Sequence, residues 1–91
     1  FIYLYAQAFV EYAKSVDIDE TVARDLFAKS LIGSAKMITD SGKSLDELIE
    51  MVSSKGGTTI AGLEKLREGG LPKAVEECCK ACTKRAYELS K

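Results

Sequence analysis

Ninety-one residues, 46% hydrophobic and 30% charged, make at most one globular domain, and thirteen basic against fourteen acidic side chains leave a net charge of -1. Without a single histidine the chain can form no Ser-His or Cys-His nucleophile pair and offers no imidazole base or metal ligand. Interspersed charges argue against a phosphate-backbone binder or a polybasic membrane anchor, so neither nucleic acid nor a membrane is expected as a partner.

A folded monomer of 9.9 kDa would expose roughly 5,200 Å² of the about 14,400 Å² of its unfolded chain, an adequate but thin core. So high an apolar fraction on so thin a core calls for a partner surface.

Residues 1–16 carry apolar groups at 1, 5, 8, 9, 12 and 16, with Ile2, Leu4 and Val10 filling much of the remaining circumference. This pattern predicts a helix buried on more than one side. The uncharged run from Phe1 to Val10 is half of what a membrane-spanning helix needs, and no signal-peptide pattern is visible, so a cytoplasmic protein is expected. Starting at Phe1 and directly in a helical pattern, the sequence reads as a piece of something longer.

After the Asp17-Ile18-Asp19 break, helical periodicity from Glu20 to Ser41 runs through Val22, Leu26, Phe27, Leu31, Ala35 and Ile38 and stops at Gly42. Such a helix would be roughly 33 Å long. Ser30, Gly33, Ser34 and Ala35 make its middle narrow, which suits ordinary core packing and a dimer crossing equally well.

Ser44-Leu45-Asp46-Glu47 fits a capping box at the start of a third helix, with Leu45, Leu48, Ile49 and Val52 as its apolar stripe. A fourth pattern resumes from Thr58 through Ile60, Leu63 and Leu66 and closes at Gly69-Gly70. Leu71-Pro72 opens the fifth, whose buried stripe is expected to be Val75, Cys78, Cys79, Cys82, Ala86 and Leu89. The expected fold is therefore all-α, a five-helix bundle. The three cysteines fall on that stripe, where they act as small hydrophobes; no fourth ligand for zinc is present, and no metal is expected. Their odd number favours a reducing compartment. Gly42-Lys43-Ser44 lacks the glycine that a phosphate-binding loop needs five positions earlier, where Met37 stands.

The stretch Ser53-Ser54-Lys55-Gly56-Gly57-Thr58-Thr59-Ile60-Ala61-Gly62-Leu63 carries the chemistry. Two glycines before a helix let backbone N–H groups converge at the positive end of the helix dipole, and the hydroxyls of Ser54, Thr58 and Thr59 extend the donor set. This is a cradle for a small carboxylate, although a double glycine with threonine caps also serves as a plain helix-helix turn.

Val52 to Leu63 resembles the signature V-[ST]-S-P-G-G-[TA]-T-I-x-[AG]-L of the C-terminal domain of pyrroline-5-carboxylate reductases. The likeness extends through the aromatic Phe1-Ile2-Tyr3 helix, Gly33 to Met37, the Leu66 to Leu71 turn and the last helix. It implies that residues 1–91 are a dimerisation and substrate-binding domain that interlocks with its copy in a homodimer, often assembled further into decamers. It also implies an N-terminal Rossmann domain, absent from these residues, that binds NADPH or NADH. The implied reaction is reduction of 1-pyrroline-5-carboxylate to L-proline. By that likeness the substrate carboxylate would sit on Ser54, Gly56, Gly57 and Thr58, with Thr59 as the catalytic residue directed to the carboxylate or the ring nitrogen. Cofactor-binding residues are expected elsewhere, since no G-x-G-x-x-G occurs here. Lys55 replaces the family's usual proline, which loosens the turn and adds a cation. The alternative is a helical dimerisation module of another two-domain dehydrogenase, with no substrate contact of its own.

Overall fold

The computed structural model describes residues 1–53 and 57–91, and among them the secondary structure is five α-helices without a strand. They are α1 (Ile2–Ser15), α2 (Glu20–Asp40), α3 (Leu45–Ser53), α4 (Gly57–Glu68) and α5 (Leu71–Leu89). The all-α expectation holds, and each boundary falls within one residue of the sequence reading. The chain divides into two compact units, Phe1–Leu48 and Ile49–Lys91.

In the first unit α1 packs on α2, and the turn between them has a specific chemistry. Asp17 adopts φ 65°, a left-handed conformation that a short polar side chain tolerates. The Ile18 N–H then donates to the Ala13 carbonyl at 2.9 Å and the Asp17 N–H to the Lys14 carbonyl at 3.1 Å, which is a Schellman closure. Two residues on, the Asp19 carboxylate accepts from the N–H groups of Thr21 and Val22 at 3.0 and 3.3 Å and caps α2. Lys14 reaches across to Glu20 at 3.8 Å. What the sequence shows as a break is thus a stop and a start built back to back.

The contact between α1 and α2 centres on three rings. Tyr5 and Phe9 meet edge-on at 5.1 Å, and Phe27 of α2 lies 5.3 Å from Phe9 and 6.0 Å from Tyr5. Beside them Val10 and Ala23 are the buried hydrophobic residues of the described chain. The expectation that α1 is buried on several sides is corrected here. Phe1, Tyr3 and Leu4 are 71–90% exposed, because a pair of helices can cover only one stripe of each. Accessible surface comes to 7730 Å², well above the roughly 5,200 Å² of a self-sufficient globule.

α2 ends where glycine permits it, with Gly42 at φ 72°. The capping box then forms as read. The Ser44 N–H donates to a Glu47 carboxylate oxygen at 2.9 Å, and the Glu47 N–H donates to the Ser44 hydroxyl at 3.1 Å. In the second unit α4 packs on α5, Gly70 takes φ 81° at the junction, and Pro72 sits in the first turn of α5. The stripe of α5 is present but uncovered within the chain: Cys78 is half-buried, Cys79 and Cys82 are exposed, and Val75 and Leu89 are likewise open. Burial of all three cysteines is therefore corrected; α4, at twelve residues, is too short to cover a nineteen-residue partner.

Candidate functional site

The helix starts can be compared as donors, that of α1 carrying no side-chain cap. The first turn of any helix leaves N–H groups with no acceptor inside the helix, and the dipole makes that end positive. On α2 the Asp19 carboxylate already occupies those donors, and on α3 the Ser44 hydroxyl takes one. On α5 Pro72 removes a donor altogether. α4 begins at Gly57, so the N–H groups of Gly57, Thr58 and Thr59 form its first turn. Gly57 and Thr58 are exposed and Thr59 is half-buried, an orientation open to a ligand at one end and anchored at the other.

Gly57 lies within the helix as its first residue, whereas the sequence placed it in the preceding loop. The structure thus brings Gly57, Thr58 and Thr59 together on one helical turn. Ser54 and Gly56, together with Lys55, lie outside the described residues. Ser53, just before them, donates its hydroxyl to the Ile49 carbonyl at 2.6 Å and so closes the end of α3. Lys65 and Arg67, the basic residues of α4, stand in its last turn, where they favour the negative end of the dipole. The arrangement can hold a small anion by backbone donors and two hydroxyls, without a formal charge of its own.

A second feature is an apolar groove of about 440 Å³ on the first unit, lined by Tyr5, Phe9, Ile18, Leu26, Ser30 and Ser34 among others. Leu26 is 58% exposed and Ile18 42%. The small residues in the middle of α2 were singled out in the sequence as a place of close approach, and Ser30 and Ser34 do line this groove. Sequence reading missed Ile18, which looked like a loop residue. Its signal was an apolar side chain following an aspartate at a helix stop, the usual hydrophobic partner of a Schellman closure.

Among the described residues no group of three or more His, Cys, Asp or Glu side chains is placed to hold a metal ion. No helix of the described residues is long and apolar enough to cross a membrane.

Residues 1–89 match the family model described as pyrroline-5-carboxylate reductase dimerisation. The chain is 36% identical over 89 residues to pyrroline-5-carboxylate reductase 3 of Danio rerio, covering 98% of the chain and 31% of that protein. It is 32% identical to pyrroline-5-carboxylate reductase 2 of Bacillus subtilis, with 98% and 32% covered, and 36% identical to the pyrroline-5-carboxylate reductase of Pisum sativum, with 99% and 33% covered. The chain therefore spans about a third of the length of the curated relatives it matches. No solved structure gives a significant match.

Proposed function

The chain belongs to the pyrroline-5-carboxylate reductase dimerisation family, and on that premise we propose that it is the self-associating and substrate-holding part of an enzyme that reduces 1-pyrroline-5-carboxylate to L-proline. The observation that carries this reading is the family match across residues 1–89, which includes the Gly56-Gly57-Thr58-Thr59 sequence. That match is to the reductase's own dimerisation domain, which favours it over a helical module of another two-domain dehydrogenase.

The substrate is a small ring carrying a carboxylate and a C=N bond. In this reading its carboxylate is held by the first-turn N–H groups of α4 and the Thr58 hydroxyl, with Ser54 and Gly56 completing the cradle. The Thr59 hydroxyl donates to the carboxylate or to the ring nitrogen. A nicotinamide cofactor held outside residues 1–91 would supply the hydride chemistry for the imine carbon; the residues of this chain hold and orient the ring. Holding an already polarised imine in register needs positioning more than a strong base, which agrees with a chain that has no histidine.

The described residues do not fit the dinucleotide itself. All of their regular elements are helices, whereas a dinucleotide-binding turn needs a strand leading into a glycine-rich helix start. A Rossmann domain outside residues 1–91 is the proposed binder, and the setting is proposed to be cytoplasmic. A second copy is the proposed occupant of the groove on α1 and α2, in a homodimer that can assemble into decamers. The direct test is an assay of the intact protein with pyrroline-5-carboxylate and NADPH, following loss of nicotinamide absorbance. Substrate-dependent oxidation with proline as product is expected; its absence, in protein shown to be folded, overturns the reading.

A further inference from the structure

We draw no further inference here: the strongest candidate, the surface patch along α5 lined by Glu76, Cys79, Lys80, Thr83 and Tyr87, flanks the stripe of that helix left uncovered within the chain, and nothing in the structure shows what covers it.

Discussion

The two units of this chain are both helix pairs, yet they are held by different forces. In the first, Tyr5 and Phe9 of α1 close on Phe27 of α2, with Val10 and Ala23 sealed beside them. In the second, no described residue is buried, and α5 is sustained by local terms: the Gly70 and Pro72 start and the ion pairs Lys73–Glu77 at 3.2 Å and Lys80–Glu76 at 3.0 Å. Exposed i,i+4 pairs contribute only about 0.3–0.5 kcal/mol each, whereas edge-on aromatic contacts add about 0.5–1.5 kcal/mol beyond the area they bury. A tertiary nucleus therefore exists in the first unit, and the second is a set of helices that keep their form locally. The turn proposed to bind the substrate anion belongs to the second, so its stability is set by helix-end chemistry more than by a core.

The sharpest way to break this contrast is to make one substitution in both places. Val10→Asp puts an unpaired charge into the sealed contact and should cost about 3–5 kcal/mol, enough to unfold the first unit. Val75→Asp, at a position 53% exposed, should stay within about 0.5 kcal/mol. Urea denaturation of the two variants checks this. Equal losses would mean that the stripe of α5 is as deeply covered in the assembly as Val10 is in the chain.

Self-association supplies the next contrast. Ser34→Arg places a long charged side chain in the groove proposed to receive the second copy, and two-fold symmetry introduces it twice. At about 2 kcal/mol per copy, the dissociation constant should rise roughly 10³-fold, with helix content unchanged. Sedimentation equilibrium measures it; an unaltered association constant would move the interface off this groove.

Much of this architecture could be read in advance, and the parts that could not share a cause. Helix ends announce themselves through local chemistry: Gly42, the Ser44–Glu47 box and Pro72 each act within four residues, and each appears where the sequence puts it. The Asp17 closure was missed because aspartate in the left-handed region is one option among several for that residue type. Burial was misjudged for α1 and for the cysteines, because an apolar stripe states that a face seeks cover, not whether its own chain provides it. Of the site, Thr58 and Thr59 open a helix as the motif suggests and Gly57 joins them on its first turn instead of lying in the loop before it, while Ser54 and Gly56 lie outside the described residues and rest on the family likeness.

Within the second unit, Thr59→Val tests whether the start of α4 works as chemistry or merely as a helix start. The shape is kept and the hydroxyl donor removed. A hydrogen bond to a charged group contributes about 1.5–3 kcal/mol, so kcat/KM for pyrroline-5-carboxylate should fall roughly 10- to 150-fold in the intact protein. The KM for the nicotinamide cofactor should barely move. A loss confined to the cofactor would show that the anion cradle has been assigned to the wrong atoms.

The smallest effect concerns α3, the helix that leads toward the site. Two hydrogen bonds hold its start, and only one of the two side chains titrates. The backbone N–H and hydroxyl of Ser44 hold the Glu47 carboxyl below the usual carboxylate range. A lowered value in the folded state means that folding favours the charged form. This contribution is complete above the unfolded carboxylate range and drains away as pH falls through the folded value. Ser44→Ala should cost about 1 kcal/mol through the lost cap, at any pH where Glu47 stays ionised. Glu47→Gln keeps an acceptor for the Ser44 N–H but cannot ionise, so it should differ from the parent at pH 7 and converge with it near pH 3. Denaturation midpoints of parent and Glu47→Gln, compared at the two pH values, decide the matter. A gap that persists unchanged in acid would mean that Glu47 acts through its shape, and that the start of α3 owes nothing to charge.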